Sequence, residues 1–242
     1  MLLPRTGSVQ RTNRVRPGGL CWRNVLGTIN QALAYVDSVH SAQKSEGIWL
    51  ADHPFVQAVR VGIARPDEIA RWATQVFCIT RNLDELVHFH FGDPVAAVFN
   101  AMHRDLPLLI QLGGALGVSS LNMLSGEANQ TTRKIQQWAK QHISVRDTFL
   151  TAQVCLELLE SMSPDVGVYL AEGSQRHYGL KSEEIRYFTV RAGTKHELDE
   201  HAAELLTLLP EEKWNYIRQE TLSQNRLMHA MYNSIGDMWS GW

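Results

Sequence analysis

Apolar residues recur at helical spacing over most of this chain, and no stretch carries the period of two that marks a half-buried strand. Trp22 to Lys44 sets Val25, Leu26, Ile29, Leu33 and Val36 at helical intervals. Asp52-His-Pro-Phe reads as a helix start, with Pro54 at the first helical position, where a missing N–H costs nothing; this helix ends near Gly62. Pro66-Asp-Glu-Ile opens a helix through Trp72, Val76, Ile79, Leu83 and Val87, which Gly92-Asp93-Pro94 breaks. A helix is expected over roughly 94–104, then an apolar one over 106–116 ending at Gly117, then the polar stretch GVSSLNMLSGEANQ. Residues 131–162 read as one or two helices, and 164–177 as another closed by Gly179. Ser182 is expected to cap a histidine-rich helix, and Pro210-Glu-Glu-Lys-Trp to begin a last one running to about Ile235. Together these predict an all-α bundle of seven to nine helices with short links.

Composition narrows the partners. With 242 residues the chain is long enough to bury a core around an internal pocket. A formal net charge of −2 gives no general case for nucleic acid or a membrane surface, and no apolar run approaches the ~18 residues of a membrane span. Basic residues collect at the start, where Arg5, Arg11, Arg14 and Arg16 precede the first acid, Asp37; residues 1–20 read as a flexible basic arm before a single helical domain over 21–242. Cys21, Cys78 and Cys155 are odd in number and scattered, which points to reduced thiols and a cytoplasmic setting. Cys155 reads as a small core residue.

Chemistry concentrates between His196 and Glu204, where two histidines and four carboxylates share one helical segment. Glu197 and His201 are four apart and lie on one face, with Thr194 a turn earlier. A carboxylate and an imidazole at that spacing can hold a first-row transition metal; the alternative is a solvated charged face. Glu85-Leu-Val-His88 offers a competing pair beside His90.

Several strings stand in a particular order: HPFVQAV from His53, PDEIARWATQVF from Pro66, GGALGV at 113–118, HYGL at 177–180, EEIRYF from Glu183 and HAAELL from His201. Over about residues 50 to 235 they resemble the haem-oxygenase-like superfamily, nearest to the branch holding PQQ-synthesis protein C, TenA-type thiaminases and non-haem diiron oxidases and oxygenases. The resemblance implies a haem-oxygenase-like helical bundle, often a homodimer, that oxidises a small molecule with O2 as co-substrate. An amino acid or amino-acid-derived acid in a biosynthetic pathway is the substrate it suggests. One or two Fe(II) ions per chain would be held by a set drawn from His103, Glu157, Glu160, His196, Glu197 and His201, with His103, Glu160, His201 and Tyr169 taking part in catalysis. The chain departs from the family pattern in two places. The glutamate expected before His103 is missing, with Asn100 the nearest polar residue. Counting forward from Tyr187-Phe188 puts Arg191 and Lys195 at ligand positions, whereas counting back from His201 puts Thr194 and Leu198 there, as if Ala-Gly-Thr had been inserted. Gly193 is a natural point for local unwinding. Two further readings stay open: a cofactor-free oxidase in which Arg191, Lys195 and His88 hold an anionic substrate, and a non-catalytic binding protein on the same fold.

Overall fold

The computed structural model describes residues 22–91 and 97–236, so the basic arm and the break at Gly92-Asp93-Pro94 lie outside it. The helices are α1 Trp22–Ser45, α2 Pro54–Val61, α3 Pro66–Phe91, α4 Ala97–Ala115, α5 Ser120–Ser125, α6 Gln130–Ile143, α7 Arg146–Glu160, α8 Ser163–Tyr178, α9 Arg186–Ala192, α10 Lys195–Thr207 and α11 Trp214–Asn233. Nine of them have at least eight residues, and the described residues contain no strand and no helix long and apolar enough to cross a membrane.

Local chemistry sets the helix ends. The His53 side chain accepts from the Phe55 N–H at 3.0 Å and caps α2, which closes at Gly62 with φ +80°, a conformation that suits a residue without Cβ. The stretch after Gly117 is not all loop: Ser119 accepts from the Asn122 N–H at 3.1 Å and starts the short α5. The helices expected on either side of residue 105 are one, because α4 runs through Pro107. Ser182 does not cap a helix. Glu184 instead accepts from the Lys181 N–H at 2.7 Å, residues 182–185 form turns, and α9 begins at Arg186. The last long helix is likewise preceded by a tighter 3-10 turn over Glu211–Lys213.

Helix α7 occupies the middle of the bundle. Its residues 151–158 are all buried, with α1, α6, α8, α10 and α11 packed around it. A helix enclosed on every side should be apolar throughout, yet this one carries Glu157 at zero exposure. The main core includes Phe55, Ile69, Phe77, Leu109, Leu112, Leu158 and Phe188. Phe89 is 83% exposed near the end of α3.

Two glycines bring α8 close to its neighbours. A Cβ on Gly167 would lie 2.6 Å from the Phe188 carbonyl oxygen of α9, and one on Gly173 would lie 2.3 Å from the Val59 carbonyl of α2. Backbone cannot give way as a flexible side chain does, so Gly167→Ala should cost about 1–3 kcal/mol as an overpacking change. Thermal unfolding checks this, and an unchanged midpoint would mean that α8 and α9 are not in such close contact.

Candidate functional site

Four helices converge on one cleft of about 500 Å3. Helix α7 contributes Glu157 and Glu160, one turn apart and therefore on one face. Helix α4 adds Asp105, α9 adds Arg191, and α10 adds Glu197 and His201. Arg104, Arg186 and Glu197 are exposed residues of the lining, whereas Asp105 and Glu157 are buried. Arg191 links α9 to two other helices, pairing with Asp105 on α4 and Glu160 on α7. Its guanidinium also lies over the Tyr187 ring, 5.6 Å from the centroid. Ser163 donates at 2.9 Å to the same Glu160 oxygen that Arg191 pairs with.

The electrostatics of the two buried acids differ. Burial raises the Asp105 carboxyl, and the Arg191 charge and hydrogen bond pull it back. Glu157 is buried as well but has no such direct bond. Burial pushes it up to about 8 against the weaker pull of Arg191. Neither of its oxygens takes a well-aligned hydrogen bond. Its close polar neighbour is the His201 ring, whose Nδ1 lies 2.8 Å from Oε1. The imidazole is 28% exposed, so the pair joins the closed interior to the open cleft.

The break that the Ala-Gly-Thr offset suggested is real. Helix α9 ends at Ala192, α10 begins at Lys195, and the Thr194 hydroxyl donates to the Arg191 carbonyl at 2.9 Å. This interruption lets Arg191 and His201 face the same cleft although neither register count from the sequence accommodates both.

Of the residues singled out from sequence, Glu157, Glu160, Arg191, Glu197 and His201 are brought together. Others are not. His103 points outward, 74% exposed, with Nδ1 3.3 Å from Asp84 on α3. Tyr169 lies under the Arg60 guanidinium, 4.2 Å from its ring centroid, on the side of α8 that meets α2. His88 is exposed near the end of α3 and is absent from the cleft lining. The side chains of Lys195 and His196 lie outside the described residues. Asp105 is a site residue that the sequence reading missed, as are Arg104 and Arg186 of the cleft lining. Asp105 precedes Leu109 by four and Leu112 by seven, and both leucines are fully buried, so it stands on the inward stripe of α4. His103, two positions earlier, is turned away by about 200°.

These donors do not fit an iron ion as they are arranged. Arg191 already supplies the positive charge that Asp105 and Glu160 share. Among the described residues no three His, Cys, Asp or Glu side chains are grouped closely enough to hold a metal. Cys155, buried with its thiol pushed up to about 12 by desolvation, is a core residue rather than a nucleophile.

Three solved structures resemble this one across most of its length. One is a domain of unknown function with a haem-oxygenase-like fold from Shewanella denitrificans OS217, with a TM-score of 0.64 at 12% identity over 84% of this chain and 91% of that one. The second is a TenA homologue from Pseudomonas syringae pv. tomato DC3000, with a TM-score of 0.64 at 11% identity over 95% and 99% of the two chains. The third is a TenA homologue from P. horikoshii OT3, with a TM-score of 0.64 at 13% identity over 86% and 99%. The fold is therefore haem-oxygenase-like, as the sequence resemblance implied. No protein-family model and no curated protein matches the sequence.

Proposed function

We propose that the protein is a small-molecule enzyme that works without a metal, with Glu157 and His201 acting as an acid–base pair on an anionic substrate. The observation that carries this reading is a fully buried carboxyl, pushed up to about 8, 2.8 Å from an imidazole that reaches the cleft. A group that titrates near neutral pH both takes and returns a proton efficiently there, which is what general acid–base catalysis requires. The exposed Arg104 and Arg186 in the cleft lining attract an anion, and Arg191 offsets negative charge that develops on the substrate.

The chemistry this arrangement favours is removal of a proton from carbon beside a carbonyl or carboxylate. In the oxidase form that the sequence resemblance implies, the substrate gives up two electrons and two protons, and one O2 leaves as hydrogen peroxide. That balance needs no further reductant. Amino acids and their oxo-acid derivatives are the substrates to test first.

Proton abstraction can be measured before any product is identified. Wild-type protein, treated with chelator and transferred to D2O, should exchange the α-proton of one or more acids in such a panel, read by NMR. Glu157→Gln and His201→Ala should each slow that exchange by about 10²–10⁴-fold. Exchange or O2 uptake that appears only after ferrous iron is added back would overturn the metal-free reading in favour of an iron-dependent oxygenase.

A further inference from the structure

Behind the cleft lies a second, smaller void of about 90 Å3, inside the bundle. Its walls include Trp72, Val76, Trp138, Leu156, Phe188 and Tyr232. Glu160 and Arg191 line both spaces, so their ion pair forms the partition between a polar outer cleft and an apolar inner chamber. Close-packed interiors hold few voids larger than a water, and an apolar one stays dry, so its walls lose dispersion contacts unless something fills it. Buried polar atoms in the residues around the chamber that lack hydrogen bonds include Arg191 Nε, a donor, and Gln224 Oε1, an acceptor on a residue only 4% exposed. Unmatched groups of this kind are costly inside a protein.

We propose that the chamber receives the apolar tail of a short-chain carboxylic acid, whose carboxylate takes the place of Glu160 on Arg191. The proposal rests on the reading of the cleft as a site for an anionic small molecule, and names its class. One carboxylate replaces another, so the guanidinium stays paired throughout, and a ligand oxygen gives Arg191 Nε the acceptor it lacks. Displaced Glu160 has the open cleft to turn into. Size limits the tail. The chamber is smaller than the ~150 Å3 apolar cavity that takes up benzene, so a chain of a few carbons fits and a long-chain fatty acid does not. A hydroxyl or amino group on that chain would satisfy Gln224.

The test is a titration of the chelator-treated protein with acetate, butyrate, hexanoate and decanoate, and with the matching alcohols, read by tryptophan fluorescence, since Trp72 and Trp138 both line the chamber. Affinity should rise about three- to fourfold per methylene up to a short optimum and fall again at decanoate, with each alcohol at least tenfold weaker than its acid. Ala139 also lines the chamber, and Ala139→Leu, which fills it, should abolish the gain with chain length and leave acetate binding intact; Val76→Leu serves if the first variant does not fold. Acids that bind with no dependence on chain length, or with the same dependence in the filled variant, would overturn the chamber and leave the cleft reading standing. Alcohols that bind as tightly as acids would overturn the role of Arg191 in it. Absence of any acid binding together with absence of α-proton exchange would remove both readings.

Discussion

Replacement of Arg191 by methionine is expected to lower the melting temperature by roughly 10 °C at pH 8, more than any other single change at the cleft. The substitution keeps most of the side-chain volume and removes the charge. Asp105 and Glu160 are then left facing each other with no counter-ion, and Asp105 is 3% exposed. Breaking a buried pair from one side costs about 3–5 kcal/mol, because the remaining charge keeps its desolvation penalty. For a chain of this size each kcal/mol moves the midpoint by about 2–4 °C. The loss should shrink toward pH 5, where Asp105, already raised by burial, can take up a proton instead of remaining an unpaired anion. Arg191→Lys should recover only part of the stability, since a single ammonium does not reproduce a fork that reaches two carboxylates on different helices. A melting temperature at pH 8 equal to that of the wild type would show that the guanidinium is not the link between α4, α7 and α9.

The second large effect concerns pH. Glu157 is raised from 4.5 to about 8 in the folded state. Between those values the folded chain binds a proton that the unfolded chain has released. Its contribution to stability is therefore fully present below about pH 4.5, falls as pH rises, and is gone above about 8. Over that window the loss is on the order of a few kcal/mol. Glutamine has the same shape and no proton to lose, so Glu157→Gln should flatten this part of the profile and be the more stable protein at pH 9. Denaturant melts of the two proteins at pH 5, 7 and 9 measure the difference. Parallel curves would mean that Glu157 titrates as an ordinary carboxylate.

Much of the site was legible from spacing alone. Glu157 with Glu160, and Glu197 with His201, lie one helical turn apart, so each pair had to share a face wherever its helix went. Arg191 was legible in a different way. It fell on a ligand position when counted from one end of the segment and not from the other, and the interruption between α9 and α10 accounts for both counts. What failed was orientation around a helix that carries several polar residues in succession. On α4, His103 attracted attention as a ligand type, but rotational position, not residue type, decides which side chain is buried, and the stripe with Leu109 and Leu112 belongs to Asp105. Tyr169 failed for a similar reason: its helix meets α2 as well as α9, and the ring went to the α2 side, under Arg60. Turn chemistry misled at Ser182, where a side chain three residues away from Lys181, that of Glu184, closed a turn first.

Under the proposed metal-free function, the pairing of Arg191 with Asp105 and Glu160 has a consequence for the cell as well as for the fold. A positive charge built into the polypeptide arrives with translation, in a fixed ratio of one per chain. It needs no metallochaperone, and iron starvation does not deplete it. It also escapes the competition in which copper or zinc displaces more weakly held metals from shared donor sets. On the metal-free reading proposed above, such a centre gives up the redox range of a transition metal and gains indifference to metal supply.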